Sequence, residues 1–265
     1  EIPVNSEGMF HVADVNEETK KSLTFLSVMM ANNETGVIQN IAEIADWAKK
    51  NDIQFHTDAV QALGKIKVDF EGLDIDAMTI SSHKIYGPQG IAALIVNKKI
   101  DLFPHMQGGG QERGLRSGTE NIAAIIGFGK ACERSSQNIV TFNEKVKHLN
   151  AILEKALFDL GAVIFCKESH RLSNTTFFSF KNIDGSTLLT ALDRKGFAIA
   201  SGSACSSKSS EPSHVLLSMG VDLDLAQGAL RVSLGLESTE NEINDFIETL
   251  KDEVNRLKQL TAVAA

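Results

Sequence analysis

The sequence predicts an α/β fold, followed by a second and smaller α+β domain. Three observations predict it: apolar runs of strand length alternate with helical patterns, polar turns follow successive runs, and the pattern changes near residue 138. The chain has 265 residues, which is enough for one large domain or two smaller ones. We therefore expect the remainder of a large domain over residues 1–138 and a small domain over residues 139–265.

The first half of the chain contains four runs with the composition of strands. Residues 23–31 (LTFLSVMMA) are typical of a buried strand and lead into the loop 32–36 (NNETG). A helix is predicted over residues 41–51, because apolar residues recur there at helical spacing. Further strands are predicted over 53–56, 77–80 and 92–96.

Polar residues follow these runs at the point where each predicted strand ends. Asn33 follows the first run, Asp58 the second, and the pair His83-Lys84 the third. In open α/β sheets ligands bind beyond the carboxyl ends of the strands. Ordinary polar turns would explain one such case, but three in succession favour a functional site.

The second half begins with a glycine-rich basic loop and two predicted helices. The loop covers residues 108–118 (GGGQERGLRSG), and the helices cover 121–132 and 142–160. A terminal helix over 240–260 is predicted to be capped by Ser238 or Thr239. The segments between them are a strand (175–180), a helix (186–195), a strand (197–200), a loop (201–210), a short helix (213–219) and a strand (229–234).

Charge and cysteine content narrow the class of protein. The net charge is −8, from 26 basic and 34 acidic residues, which argues against nucleic acid or an anionic membrane as the main partner. No stretch approaches the ~20 apolar residues that span a bilayer. Three cysteines form a poor disulfide framework, so we expect a reducing, cytoplasmic compartment.

Lys84 and Asp58 form the first candidate pair. A partly desolvated lysine can become a neutral amine and form a Schiff base, although a lone loop lysine is more often a surface residue. Pyridoxal phosphate (PLP) needs a carboxylate to keep its pyridine nitrogen protonated. Asp58 ends the strand before the one that leads to Lys84, so both can face one cofactor, with Gln61 near the ring hydroxyl. A helix N-cap is the alternative for Asp58.

Cys205 and Arg231 are the other candidates. Cys205 lies in a loop of small residues (SGSACSS), which favours an exposed and mobile thiol over a buried structural one. Cys132 and Cys166 have apolar neighbours and are expected to be structural. Arg231 lies in a strand-like run, where it suits either the carboxylate of an amino acid or a structural ion pair.

Five motifs follow one another along the chain in a characteristic order. The ordered set resembles the NifS/IscS-type cysteine desulfurases over nearly the whole chain, and the EPSHVL segment resembles that branch more than the SufS-like branch. The resemblance implies the type I PLP-dependent transferase fold, with a mainly parallel sheet in the large domain, and a homodimer. The motifs are HTDAVQALGK (56–65), SSHKIYGPQG (81–90), GGGQERGLRSGTEN (108–121), SGSACSSKSSEPSHVL (201–216) and LRVSLG (230–235).

The resemblance also implies a function for each matching residue. Cys205, Lys84 and its neighbour His83 are the candidate catalytic residues, and Cys205 would receive sulfur as a persulfide. The implied cofactor-binding residues are Lys84, Asp58, Gln61, Asn33, Ser81, His83 and Thr119, the last supplied across the dimer. The implied substrate-binding residues are Arg231 and Asn33.

The implied reaction converts L-cysteine to L-alanine and passes the sulfur to an acceptor protein, such as an iron–sulfur scaffold or a tRNA-thiolation protein. The family has a further N-terminal segment, with a phosphate-binding loop and a histidine that stacks on the ring. We therefore expect this chain to be a truncated form.

Two alternatives stay open: a selenocysteine lyase or related PLP lyase, and an inactive truncated sulfur carrier or scaffold. A P-loop or dinucleotide enzyme is disfavoured, since residues 108–118 lack the G-x-G-x-x-G spacing and a Walker lysine-serine pair. We expect no metal site, because no second cysteine or histidine stands at ligand spacing from Cys205.

Overall fold

The computed structural model describes residues 2–202 and 211–264. The chain divides into two compact units. The first unit comprises residues 15–31 and 39–139, and the second comprises residues 1–14, 32–38 and 140–265. The segment 32–38, which contains the predicted loop NNETG, thus belongs to the second unit although it is early in the sequence.

The first unit is an α/β unit, as the alternation of patterns predicts. Within its described residues, four strands form one sheet in the order β1-β2-β3-β4, with β1, β2 and β3 parallel and β4 antiparallel. The sheet is therefore mainly parallel. Its elements are α1 (Glu17–Ser22), β1 (Phe25–Met29), α2 (Ile41–Lys50), β2 (Gln54–Asp58), α3 (Phe70–Leu73), β3 (Ala77–Ser81), β4 (Ala92–Val96) and the first part of α4 (Ile122–Asp159), whose residues from 140 onward belong to the second unit.

Burial in the first unit follows the periodicity of the sequence. The apolar stripe of α2 is buried at all four of its positions, Ile41, Ile44, Ala45 and Ala48. In β2 the side chains alternate: those of Phe55 and Thr57 are buried, whereas His56 and Asp58 are half-buried on the opposite face. The face that carries Asp58 is therefore the one that remains accessible.

Helix α4 is longer than the sequence patterns indicate. It runs without a break through 38 residues, so the expectation of two helices over 121–132 and 142–160 was wrong. The intervening residues 133–141 (ERSSQNIVT) contain neither proline nor glycine, and polar residues without a breaker can form a solvated helix surface. The side chain of Ser135 donates to the carbonyl of Cys132, and that of Asn138 donates to the carbonyl of Arg134.

The second unit contains an antiparallel sheet and helices. Its described strands form one sheet in the order β5-β6-β8-β7. The elements that follow α4 are β5 (Val163–Ile164), β6 (Thr175–Ser179), α5 (Gly185–Arg194), β7 (Ala200–Ser201), α6 (His214–Ser218), α7 (Leu223–Gln227), β8 (Leu230–Ser233) and α8 (Glu240–Ala264).

The start of β7 differs from the sequence prediction, and the start of α8 selects one of the two caps that the sequence offers. The strand expected over 197–200 begins only at Ala200, because the N–H of Phe197 bonds to the carbonyl of Leu192 and closes the end of α5. Helix α8 begins with a capping box. The backbone N–H of Glu242 donates to Thr239 Oγ1, and the N–H of Thr239 donates to the Glu242 carboxylate, so Thr239 and not Ser238 is the cap.

The core of the second unit is apolar, with one buried ion pair beside it. Leu153 of α4, Leu188 of α5 and Leu250 of α8 are almost completely buried in a single cluster. Glu154 forms an ion pair with Arg171, and the exposed fractions of the two side chains are 16% and 10%. Among the described residues, no helix has both the length and the apolar character needed to cross a membrane.

Candidate active site

Asp58 lies at the carboxyl end of β2, in the middle of the parallel part of the sheet. It is aligned with Met29 of β1 and Thr79 of β3. One of its carboxylate oxygens accepts the backbone N–H of Val60 at 2.8 Å, which fixes the side chain in the turn that follows the strand. Asp58 is thus held by a local turn, and α-helix N-capping, the alternative considered from sequence, is not its position.

Ser81, His83 and Lys84 follow the neighbouring strand β3. Ser81 is its last residue, and His83 and Lys84 lie in a single 3-10 turn over Ser82–Ile85. The Oγ atom of Ser81 lies 2.8 Å from Nδ1 of His83, so the two side chains form one hydrogen-bonded pair. Parallel strands end at the same edge of a sheet, and the register therefore brings this turn to the edge where Asp58 lies.

Lys84 presents an exposed amine at this edge. Within residues 2–202 and 211–264, no ion pair or hydrogen bond holds its Nζ atom. The turn is fixed behind it by Gly87, whose N–H bonds to the carbonyl of Ser82. A side chain at Gly87 would place its Cβ atom 2.1 Å from Ser82 Oγ, so this close packing requires glycine.

The positions of Gln61 and Thr119 support a cofactor site less directly than those of Asp58 and Lys84 do. The amide oxygen of Gln61 lies 3.2 Å from Lys65 Nζ, which also bonds to the Gln61 carbonyl at 2.7 Å. A contact between Gln61 and a cofactor ring therefore requires that this hydrogen bond open or be shared. Thr119 is exposed in the loop before α4, and its contact with a phosphate across a dimer stays a prediction.

His56 is a residue of this face that the sequence analysis did not single out. It lies two residues before Asp58, with Nδ1 2.8 Å from Ser27 Oγ of β1 and Nε2 2.8 Å from Thr79 Oγ1 of β3. Burial lowers the pKa of His56, and the charge of Asp58 opposes this effect. The available signal was the period-two spacing from Asp58, which puts both side chains on one face.

Asn33 and Arg231 come together in the second unit. The guanidinium of Arg231 donates to the backbone carbonyl of Asn33 at 2.6 Å, although 198 residues separate them in sequence. Arg231 lies in β8, aligned with Phe177 of β6 and Ala200 of β7. Its guanidinium is therefore held by the backbone of the Asn33 loop, and its own strand pairs with β7, the strand that immediately precedes the cysteine loop.

Glu34 is a second residue that the sequence analysis missed. Its side chain is 3% exposed and accepts a short hydrogen bond from the hydroxyl of Ser213. Burial raises the pKa of the Glu34 carboxyl, whereas the hydrogen bond from Ser213 and the charges of His214 and Arg231 lower it. A glutamate in a loop gave no sequence signal of burial, because Ser213 is 179 residues away.

Two of the three cysteines, Cys132 and Cys166, lie in the part of the chain that the structure describes. Cys205 lies outside the described residues. Cys166 is buried in the second unit, and burial raises the pKa of its thiol to about 11, so at neutral pH it is protonated and unreactive. Cys132 is half-buried in α4, and burial raises the pKa of its thiol as well.

The residues at the edge of the first unit fit the cofactor that the resemblance implies. Asp58 supplies a carboxylate for a pyridine nitrogen, and Lys84 supplies an accessible amine for a carbonyl carbon. Ser81 and His83 supply a hydroxyl and an imidazole suited to phosphate oxygens. This combination of donors at the carboxyl end of a parallel sheet matches the needs of PLP.

Comparison with known proteins supports the same conclusion. The chain is 40% identical over 264 residues to cysteine desulfurase IscS of Clostridium botulinum, an alignment that covers 98% of this chain and 66% of the relative. It is also 40% identical to the mitochondrial cysteine desulfurase of Candida maltosa, with coverage of 98% and 54%. The chain thus spans just under two thirds of the length of the first relative and little more than half of the length of the second.

Solved structures confirm the fold, and a family model covers most of the chain. The X-ray structure of a NifS-like protein from Rickettsia africae superposes with a TM-score of 0.88 at 38% identity, covering 96% of this chain and 69% of that one. The expected type I fold of PLP-dependent transferases is therefore confirmed. Residues 1–246 match the model described as Aminotransferase class-V. The chain accordingly belongs to the class-V aminotransferase family, whose members are PLP-dependent enzymes.

Proposed function

We propose that the protein to which this chain belongs is a cysteine desulfurase, which converts L-cysteine to L-alanine and holds the sulfur on Cys205. The observation that supports this most is the register of the first sheet. It puts the Asp58 carboxylate and the turn with Lys84 at the carboxyl ends of adjacent parallel strands. The similarity to curated cysteine desulfurases then favours this reaction over other reactions of the family.

PLP, when bound, supplies an electron sink for negative charge that develops at the substrate α-carbon. Asp58 would hold a proton on the pyridine nitrogen and so keep that sink strong. Lys84 would hold the cofactor through its amine, and the same amine would move the α-proton of the substrate. Ser81 and His83 bind the phosphate, and Gln61, Asn33 and Thr119 complete the cofactor site in this proposal.

Arg231 and Cys205 act on the substrate. Arg231 binds the substrate carboxylate, and its bond to the Asn33 carbonyl fixes the direction of the guanidinium. The Cys205 thiolate attacks the substrate sulfur: the new S–S bond forms as the substrate C–S bond breaks. The electron pair of the C–S bond stays on the substrate, which is then protonated at both the β-carbon and the α-carbon, so that the products are L-alanine and a persulfide on Cys205.

The partners follow from this chemistry. The persulfide needs an acceptor protein, and we propose an iron–sulfur scaffold or a tRNA-thiolation protein in the cytoplasm. A homodimer would bring Thr119 of one subunit to the phosphate bound by the other.

Trapping of the cofactor tests the proposal directly. The full chain is incubated with PLP and reduced with borohydride, and the modified peptide is mapped by mass spectrometry. We expect modification at Lys84 only. Lys84→Ala removes the label, whereas Lys99→Ala, a matched change of another exposed lysine, retains it. Label spread over several lysines would contradict a PLP site in this chain.

Sulfur transfer is the second part of the test. Incubation with L-cysteine is expected to release L-alanine and to leave a persulfide on Cys205. Cys205→Ser abolishes the persulfide. Cys166→Ser, which replaces a buried thiol, leaves the persulfide unchanged. Release of alanine from selenocysteine but not from cysteine would favour a selenocysteine lyase. A chain without Lys84 labelling that still binds an acceptor protein would favour the scaffold alternative.

A further inference from the structure

The accessible face of the first sheet carries a hydrogen-bonded group of side chains beside Asp58. His56 lies at its centre, with Nδ1 2.8 Å from Ser27 Oγ on β1 and Nε2 2.8 Å from Thr79 Oγ1 on β3. The ring of Phe25 lies nearly parallel to the imidazole, with 6.4 Å between the two centroids, and limits its rotation. Both ring nitrogens therefore have a partner, one on each neighbouring strand. The proposed reaction assigns a role to none of these side chains.

Thr79 forms its hydrogen bond diagonally across the sheet. In the register of β2 and β3, Thr79 is aligned with Asp58, and the side chains of aligned residues in a sheet point to the same face. Neighbouring strands lie about 4.8 Å apart, so a rotation about χ1 brings the Thr79 hydroxyl within reach of the Asp58 carboxylate. The hydroxyl instead contacts His56, two residues earlier on β2. The bond to His56 thus draws this hydroxyl away from the carboxylate.

The carboxylate of Asp58 has one oxygen in use. Oδ1 accepts the backbone N–H of Val60 at 2.8 Å. Within the part of the chain that the structure describes, no donor bonds to Oδ2. A protonated pyridine nitrogen needs one carboxylate oxygen as its acceptor. A hydroxyl on Oδ2 would compete with that nitrogen, so the site requires that Oδ2 stay free.

The exposure of the two hydroxyls indicates which nitrogen of His56 accepts. Thr79 is half-buried, so the proton of its hydroxyl needs an acceptor within the protein, and Nε2 of His56 is in contact with it. The neutral ring then carries its proton on Nδ1 and donates it to Ser27 Oγ, whose exposed hydroxyl can donate to water. Burial lowers the pKa of His56, although the charge of Asp58 opposes this effect, and so favours the neutral ring.

We propose that His56 is a positioning residue of the cofactor site: its neutral ring accepts the hydroxyl of Thr79 and so keeps one oxygen of Asp58 free for the pyridine nitrogen. The inference rests on the proposed function in one respect, that Asp58 is the partner of that nitrogen. In this role His56 acts through Thr79 and needs no contact with the cofactor or the substrate. Loss of the ring releases the Thr79 hydroxyl, which then donates to Asp58.

The first measurement needs no cofactor. The full chain is labelled with ¹³C at the carboxyl carbon of aspartate, and the Asp58 signal at pH 8 is identified by its absence from the spectrum of Asp58→Asn. His56→Ala should shift this signal, because the Thr79 hydroxyl then donates to the carboxylate. The double variant His56→Ala, Thr79→Val should return the signal toward its wild-type position, because the released hydroxyl is gone.

Cofactor affinity is the second measurement, by absorbance titration of the full chain with PLP. His56→Ala should weaken binding about tenfold, the effect of weakening one hydrogen bond to a charged group. Addition of Thr79→Val should recover most of this loss, whereas a purely structural role predicts that the two substitutions add their costs. Thr57→Val is the matched control. The Thr57 hydroxyl donates to the Val28 carbonyl on the other face of β2, so its removal should not rescue His56→Ala.

Three outcomes would overturn the inference. The Asp58 signal could be unchanged in His56→Ala, it could stay displaced in the double variant with Thr79→Val, or Thr57→Val could rescue His56→Ala as well as Thr79→Val does. The last result would mean that the effect does not depend on the hydroxyl beside Asp58. Failure of the wild-type chain to bind PLP would refute the cofactor site of the proposed function, and the Asp58 signal would still decide the inference on His56.

Discussion

Replacement of Gly202 by alanine tests the close packing around this residue of the second unit. The added Cβ atom would lie 2.7 Å from Phe177 Cζ, 2.9 Å from Ser213 Cβ and 3.1 Å from Glu34 Oε2. All three distances are shorter than ordinary van der Waals contact. Phe177 and Ser213 are only 1% and 2% exposed, so neither can move aside into solvent.

The cost follows from these contacts. Overpacking a dense site costs about 1–3 kcal/mol, and we expect Gly202→Ala to lie at the upper end because three neighbours are contacted together. At a typical urea dependence of about 1–3 kcal/mol per molar, the unfolding midpoint of the second unit should fall by roughly 1 M. Hydrogen exchange of the β8 peptide, Leu230–Ser233, in a urea series reports this unit.

Gly129→Ala is the matched control. This glycine lies within α4, and a Cβ atom built there meets nothing within 4 Å. Alanine should therefore stabilise the helix by about 0.5–1 kcal/mol, the difference in helix propensity. If Gly202→Ala were neutral, or if the two variants shifted stability by similar amounts, the packing at Gly202 would be refuted.

Three further predictions concern other parts of the second unit. Leu153→Ala should cost about 2–5 kcal/mol in the free energy of unfolding, because Leu153 is fully buried, whereas the exposed Leu260→Ala should cost under about 0.5 kcal/mol; equal costs in denaturant titrations would contradict the assigned core. The raised pKa of Cys166, from 9.0 to about 11, favours the protonated thiol in the folded state, so its contribution is complete below pH 9 and is lost as pH rises toward 11. The difference in stability between wild type and Cys166→Ala, measured from pH 8 to 11, should therefore shrink with pH, and a constant difference would contradict this. Thr239→Ala removes the N-cap of α8 and should cost about 0.5–2 kcal/mol by the same titration, while Thr239→Ser, which retains the hydroxyl, should cost less.

Much of the first unit follows from local patterns. The buried stripe of α2 and the strands β1 to β4 lie where apolar periodicity predicts them, because burial on one face dictates that periodicity. The positions of Asp58 and Lys84 follow as well, since each lies in the polar residues just after a predicted strand. The continuity of α4 did not follow, because a polar stretch without breakers is compatible with either a linker or an exposed helix surface.

The residues missed in the site have a common physical cause. The burial of Glu34 and the two hydrogen bonds of His56 depend on partners from other strands or from distant loops. Local sequence carries no information on such partners. In the loop 32–36 the sequence predicts a role for Asn33, whereas the side chain of Glu34 is the more deeply buried of the two.

The ion pair between Glu154 and Arg171 constrains which substitutions the two positions can accept during evolution. Loss of one partner would leave a buried charge and cost about 3–5 kcal/mol, whereas replacing both by apolar residues can be neutral. A protein with either single substitution would therefore be strongly destabilised. We expect homologous chains to carry both charges or neither, and the two positions to covary even though neither touches the proposed chemistry.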